Sequence, residues 1–257
     1  MIIIALILTI LGALAVVASV MFFYRDPERK IIQAKDAFLS PADGTIVSVR
    51  RYFEGEVPTL NKGSRRFKVE ELAGVGLLGP EGTIISIHIS PLDVHTIRSP
   101  TDGRVVHIAK IRGGLKFMRD PSFEVENERV SIVLETFAGK IGVIVVGAPI
   151  ASSVKTLVSS GESVHAGQRI ARIRLGSLAS LVVHGESQMT AAMGCGAKVK
   201  AGLSVIARKI DSCDGTPVEE CYGAIRANTL ERVYLIFLAA FVAVKRLSSY
   251  VFHENRE

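Results

Sequence analysis

Two short patterns each occur twice in this chain of 257 residues, and the pairing limits the folds open to it. Pro41-Ala42-Asp43-Gly44-Thr45-Ile46-Val47 returns as Pro100-Thr101-Asp102-Gly103-Arg104-Val105-Val106. Gly161-Glu162-Ser163-Val164-His165-Ala166-Gly167 returns as Gly196-Ala197-Lys198-Val199-Lys200-Ala201-Gly202, and each copy leads into a run ending in Ala-Arg, at Ala171-Arg172 and Ala207-Arg208. In the first pattern Asp-Gly supplies the freedom a tight reversal needs and β-branched residues follow, so each copy reads as a turn feeding a strand. Between Phe38 and Ile210, runs such as Thr45–Val49, Thr83–Ile89, Val130–Glu135 and Ile141–Val146 alternate with Gly, Pro and Asp, and no long amphipathic helix interrupts them. Thr136-Phe137-Ala138-Gly139-Lys140 joins the last two runs as a hairpin. The fold class is therefore mainly β.

Repeats of the G-x-x-V-x-x-G kind resemble those of swapped-hairpin sandwiches, so the core expected is a lipoyl/biotinyl-like barrel-sandwich with short helices. Neither hairpin presents a lysine flanked by Met or Asp at its tip, which leaves a carrier role without support. Cys195, Cys213 and Cys221 are an odd number without CxxC spacing, so neither a disulfide framework nor a zinc site is indicated, and a reducing compartment is the simpler reading.

Met1 to Tyr24 carries no charged side chain, and this length of helix crosses about 30 Å of hydrocarbon. A transmembrane anchor over residues 1–24 is expected. A cleaved signal peptide fits less well, because no basic segment precedes the apolar run and the run exceeds the roughly 7–15 residues such peptides use. Arg25, Arg29, Lys30 and Lys35 then outnumber Asp26, Glu28 and Asp36, which places the following domain on the cytoplasmic side of the cell membrane. The net charge is +6, and Arg50, Arg51, Lys62, Arg65, Arg66 and Lys68 form a basic cluster. Such a cluster suits an anionic membrane surface, at about 1 kcal/mol per basic residue, or is a solvated loop face. Nucleic acid is not an expected partner, since no recognition motif accompanies the charge. Residues 211–229 read as a linker, and Val233–Val244 is apolar for only 12 residues before Lys245 and Arg246, which suits an interfacial helix better than a span. The division expected is an anchor at 1–24, a domain at 25–210, and a linker with a C-terminal helix at 211–257.

The β-run of Gln168–Arg174 ends in Leu175-Gly176-Ser177. Upstream, in order, stand Phe22-Phe23-Tyr24-Arg25-Asp26-Pro27-Glu28-Arg29, Ser40-Pro41-Ala42-Asp43-Gly44, Ser90-Pro91-Leu92-Asp93-Val94-His95, Asn127-Glu128-Arg129 and Val146-Gly147-Ala148. Together these segments resemble the phosphatidylserine decarboxylase family, in its short single-anchor form of bacteria and archaea, which includes archaetidylserine decarboxylases. The resemblance implies a proenzyme that cuts itself between Gly176 and Ser177. Its covalent cofactor would be a pyruvoyl group made from Ser177, which takes the amine of a serine phospholipid as a Schiff base and accepts electrons as CO2 departs. A β chain, 1–176, and an α chain, 177–257, would stay associated.

Asp43 and His95 match the acid and the histidine of the family motifs. From the residues alone, Asp43 could equally be a turn residue like Asp102, and His95 a hydrogen-bonded surface histidine. Arg98 stands where the long family form has a second histidine. Arg129 is a candidate donor to a substrate phosphate or carboxylate, or else an ion-pair partner of Glu128. The other histidines lack metal-ligand spacing, and no metal is expected. The rival reading is a non-catalytic, membrane-tethered β-sandwich adaptor module, which would leave the chain uncut.

Overall fold

Val, Ile and Thr crowd the runs between turns, and branched side chains pack well on a pleated surface. In the computed structural model these runs become strands. The structure describes residues 2–32, 34, 36–60, 66–114, 116–147, 154–173, 178–185, 189–209 and 220–222. Helix α1 (Ile2–Phe23) is followed by β1 (Ala37–Leu39), β2 (Gly44–Tyr52), β3 (Glu56–Pro58), β4 (Arg66–Lys68) and a short helix α2 (Val69–Ala73). Next come β5 (Gly82–His88), β6 (Thr96–Arg98), β7 (Gly103–Ile111), α3 (Phe123–Glu126), β8 (Arg129–Thr136) and β9 (Gly139–Val146). Then follow β10 (Val154–Thr156), β11 (Ser163–Val164), β12 (Arg169–Ile173), β13 (Leu178–His184), β14 (Met189–Ala191), β15 (Lys198–Val199), β16 (Val205–Lys209) and β17 (Cys221–Tyr222).

The main sheet runs β11-β7-β8-β9-β13-β5-β2-β15, with β17 also on β2. Two three-stranded sheets, β1-β16-β14 and β10-β12-β6, and the β3-β4 hairpin complete the strands. The hairpin expected around Gly139 is β8–β9, in register from Arg129↔Val146 to Thr136↔Gly139.

The two sequence echoes fold as two interlocked copies of one unit. Val199 pairs with Gly44 in one copy and Val164 with Gly103 in the other. Asp43 Oδ1 accepts the Ala201 N–H at 2.8 Å, and Asp102 Oδ1 accepts the Ala166 N–H at 2.8 Å. The copies exchange their leading segments: Leu39 N–H bonds to Pro100 O and Arg98 N–H to Pro41 O, both at 2.8 Å. Gly44 sits at φ +152, and a Cβ there would lie 2.1 Å from the His88 carbonyl oxygen, so the Asp43 turn presses on the end of β5.

The sheet has two covered faces. One encloses the larger core, where Ile46, Ile87, Ile132 and Leu181 meet Phe38, Ile97, Ile170 and Ile206 from the smaller sheets. The other is covered by α2, α3 and the β3–β4 hairpin, with Leu72, Phe123 and Phe67 over Ile84, Ile144 and Leu178. Arg50 lies within this second layer at 0% exposure, so the basic surface cluster expected at 50–68 does not include it. Its guanidinium donates to both Glu124 carboxylate oxygens at 2.7 Å, to Pro58 O at 2.7 Å and to Ser86 Oγ at 2.9 Å. A cation on a strand facing an amphipathic helix must be paired there, and the acid comes from α3.

One transverse row of the sheet positions everything that follows. Ile111 pairs with Arg129, Arg129 with Val146, Val146 with Leu178, Leu178 with His88 and His88 with Thr45. Residues just beyond this row, including Asp43, Ile89–His95 and Gly147, therefore share one end of the sheet.

Three expectations need correction. Helix α1 forms over 22 residues with no charged side chain in its first or last turn, yet among the described residues no helix is long and apolar enough to cross a membrane. The transmembrane span is thus not supported. Cys195 and Cys221 form a disulfide, which the absence of a motif concealed: the chain returns after β16 and lays β17 along β2, with Cys221 opposite Val49. The inference of a reducing compartment loses its basis. Within the stretch read as a linker, residues 220–222 are docked, and Glu220 Oε1 accepts the Arg51 N–H at 2.8 Å. The helix expected over Val233–Val244 lies outside the described residues.

Candidate active site

Ser90-Pro91-Leu92-Asp93 turns the chain beyond β5. Ser90 N–H donates to Asp93 Oδ2 and Asp93 N–H to Ser90 O, both at 2.9 Å. Burial pushes the Asp93 carboxyl up, partly offset by that Ser90 N–H. The turn delivers His95, 3% exposed, whose backbone oxygen accepts the Ile173 N–H at 3.0 Å. Burial lowers the His95 pKa to about 4, and the Arg25 cation adds to that; a hydrogen bond to the Asp93 backbone and the Asp43 charge oppose it. His95 is therefore a buried neutral imidazole at pH 7, not the surface histidine that the residues alone allowed.

Asp43 performs the turn role that Asp102 performs, and more. Arg29 grips it with Nη1 to Oδ1 at 2.6 Å and Nη2 to Oδ2 at 2.8 Å, while Nη1 also donates to Ala201 O at 2.7 Å. Asp43 is buried, whereas the Asp102 side chain is 77% exposed. The duplicated turn has thus acquired a cation and a dry setting in one copy only.

Arg29 belongs to a strap, residues 25–31, which overlaps the Phe22–Arg29 motif and whose basic residues the sequence suggested for membrane orientation. Arg25 donates Nη1 to Phe22 O at 2.7 Å, donates Nη2 to Leu92 O in the His95 turn, and lies 3.8 Å over the Phe22 ring. Asp26 receives Arg98 Nη2 at 3.1 Å, Arg169 Nε at 2.7 Å and Arg172 Nη2 at 2.9 Å. Burial would raise the Asp26 carboxyl, but these arginines, led by Arg169, outweigh it and hold it below its ordinary value. Arg98 is further fixed by Gly167 O at 2.9 Å and Pro27 O at 3.1 Å. Charges that a count assigns to membrane topology are thus spent inside the molecule. The only sequence signal for this was the density of both signs between Arg25 and Arg29.

Gly176 and Ser177 lie outside the described residues, but both flanks are described. Ile173 ends β12 beside His95, and Leu178 opens β13, fully buried between Val146 and His88. Arg129 is not placed for a ligand: Nε donates to Leu72 O at 3.0 Å, Nη1 to Val125 O at 2.5 Å and Asn127 O at 3.1 Å, and Nη2 to Glu71 O at 2.5 Å. It instead caps the carbonyl ends of α2 and α3.

A buried neutral imidazole and a buried carboxylate at one end of a mainly β sheet are equipment for moving protons away from water. Residues 17–207 match the family model described as phosphatidylserine decarboxylase. A relative named "Putative archaetidylserine decarboxylase proenzyme" from Methanocaldococcus jannaschii is 31% identical over 201 residues, which is 77% of this chain and 94% of that protein. A phosphatidylserine decarboxylase proenzyme from Chlorobium luteolum is 33% identical over 199 residues, 77% of this chain and 83% of that protein. One from Chlorobaculum tepidum is 30% identical over 196 residues, 76% of this chain and 77% of that protein. The chain belongs to the phosphatidylserine decarboxylase family. This is a family of enzymes, and the adaptor-module alternative gives way to it.

Proposed function

We propose that this chain is made as a proenzyme that cuts itself between Gly176 and Ser177 and then decarboxylates a serine phospholipid, either phosphatidylserine or its archaeal ether counterpart, archaetidylserine. The observation that carries this reading is the bracketing of the cut between Ile173, bonded to His95, and Leu178, paired with His88. Ile173 and Leu178, the described residues on either side of the proposed cut in the sequence, both lie at the sheet end that holds His95. The interlocked turn units also suit a lipoyl-like barrel-sandwich.

In the cut, the Ser177 hydroxyl adds to the Gly176 carbonyl and the Ser177 nitrogen leaves, turning the amide into an ester. His95 can take the hydroxyl proton because burial keeps it neutral, and the Asp43 charge steadies the imidazolium that results. Removal of the Ser177 α-proton then expels the Gly176 carboxylate and leaves dehydroalanine. Water adds and ammonia departs, leaving a ketone at the head of residues 177–257. That pyruvoyl ketone supplies the electron sink for decarboxylation. The setting fits such a group, because His95, Ile173 and Leu178 are all buried and keep water from a reactive carbonyl.

A lipid substrate is met at a bilayer. Helix α1, about 33 Å long at 1.5 Å per residue, exposes Ile3, Ile4, Leu14 and Met21, and lipid is the medium that covers such a surface. Arg25 is held by two backbone carbonyls and the Phe22 ring and Arg29 by Asp43, and the excess of basic residues that follows α1 in the sequence favours the cytoplasmic face. The intact mass of the purified protein tests the central claim. Two fragments are expected, 1–176 and 177–257, the second lighter by one ammonia than a serine-headed peptide. An unbroken chain in folded protein would overturn it.

Asp26 pins the strand that enters the cut. Asp26→Asn is expected to slow appearance of the 1–176 fragment by about 10–100-fold, while Asp26→Glu keeps most of the rate; pulse-chase electrophoresis measures both. An unchanged rate in the Asn variant would remove the strap from the reaction.

His95 also gives a pH dependence. An unfolded imidazole titrates near 6.5 and the folded one at about 4, so the unfolded chain binds the extra proton between these values. This contribution is complete above pH 6.5 and is lost as pH falls through 4, by about 3 kcal/mol. Urea midpoints at pH 7 and pH 4 should differ accordingly, and His95→Asn should shrink the difference.

A further inference from the structure

The transverse row that ends beside the His95 turn also locates a loop that no step above uses. β7 ends at Ile111, in the row that contains Leu178 and His88, and the chain beyond it projects from that end before returning through α3 to β8. Its base is rigidly built. Gly114 N–H donates to Glu126 O at 2.6 Å, and Lys116 N–H to Asn127 Oδ1 at 2.7 Å. The fully buried Asn127 amide donates in turn to Lys116 O at 2.9 Å and Gly147 O at 3.2 Å. Asp120 N–H closes a turn on Phe117 O at 2.9 Å, and the Lys116 ammonium is held by Glu126 at 2.6 Å and Ser122 Oγ at 2.7 Å.

This frame holds Phe117 out at 71% exposure, the highest of any aromatic side chain among the described residues. Arg112 and Arg119 flank it, both exposed. A flexible loop could fold such a ring away; this one is fixed by its own hydrogen bonds in a position that leaves the ring wet, so its burial awaits a partner. Phe137, at the opposite end of the sheet, instead stacks on Phe38 with centroids 5.3 Å apart. The last turn of α1 reaches the same end as Phe117, since Arg25 bonds Leu92 just past β5.

We propose that the Phe117 loop is a second lipid contact, in which the ring enters the boundary between headgroups and acyl chains and the two arginines meet the phosphates of anionic lipids. The inference rests on the lipid-decarboxylase reading and deepens it: the bilayer would lie against the sheet end that carries His95, so a headgroup would enter the site without leaving the surface. An aromatic ring between cations matches that boundary in both polarity and charge.

The chain contains no tryptophan, so Phe117→Trp, Tyr24→Trp and Phe53→Trp each place a single reporter in the full-length protein. Vesicles of phosphatidylglycerol and phosphatidylcholine brominated along the acyl chains are the probe. Phe117→Trp is expected to shift to the blue and lose about half its emission, Tyr24→Trp to be quenched as well, and Phe53→Trp, at the far end of the sheet, to be unaffected. Quenching at Tyr24 without quenching at Phe117 overturns the loop contact and spares a lipid contact of α1. Quenching at neither overturns both. A blue shift at Phe117 that depends on protein concentration and needs no vesicles assigns the ring to a second copy of the chain and overturns the proposal. As an independent readout, Phe117→Ser should raise KM on vesicles about tenfold and leave turnover of a monomeric short-chain serine phospholipid unchanged. An equal loss on both substrates would mark a structural role and overturn the contact.

Discussion

Ser177→Ala is expected to yield one full-length chain, with no fragment at times when the parent protein is completely cut, and no decarboxylase activity. Alanine offers neither the oxygen that attacks Gly176 nor the leaving group whose departure creates the ketone, so cleavage falls to the uncatalysed level rather than by a modest factor. Ser177→Cys keeps a nucleophile and should cut slowly. Because Gly63-Ser64 repeats the dipeptide elsewhere, Ser64→Ala should cut like the parent, showing that position and not the pair of residues decides the reaction. Denaturing electrophoresis over a time course distinguishes these outcomes. Fragments from the Ser177→Ala chain would remove residue 177 from the chemistry.

Glu124→Ala is expected to destabilise the uncut protein by about 3–5 kcal/mol. The change strips two hydrogen bonds from an arginine with no exposed surface and leaves its charge beneath Phe67, Leu72 and Phe123. Water cannot replace the lost acid without opening the layer formed by α2 and α3. The paired change Arg50→Met with Glu124→Leu removes both charges together and should cost much less, since the penalty lies in the unmatched ion more than in the absent bridge. Urea unfolding in the Ser177→Ala background, where one chain gives one transition, measures both variants. A loss below about 1 kcal/mol for Glu124→Ala would mean that Arg50 finds another partner.

The features legible in the sequence are the local ones. The duplicated turns, the β8–β9 hairpin and the mainly β class follow from residues within a few positions of each other, and the turn role of Asp43 is readable in the same way. What escaped depends on contacts across the chain. Asp26 meets Arg98, Arg169 and Arg172 only after the fold has closed, and nothing in their spacing announces it. Arg50 looks like a neighbour of Arg51 and Arg66 in the linear order, yet the pleat sends its side chain inward while the Arg51 side chain remains exposed. Arg129, attractive as an anion receptor by residue type, is spent on carbonyls of α2 because β8 begins beneath that helix. Cys195 and Cys221 meet only because β17 returns to the edge of β2.

β13 bonds along its length to β5 on one side and β9 on the other, so under the proposed cut the first strand of the smaller piece would be threaded into the middle of the larger one. Such a maturation would be one-way: once the cut molecule is unravelled, its halves would have to find each other by diffusion and rebuild a sheet from the inside, a task the uncut polypeptide does not face, and the lifetime of the cut form would depend on how slowly it opens, not on how readily it re-forms.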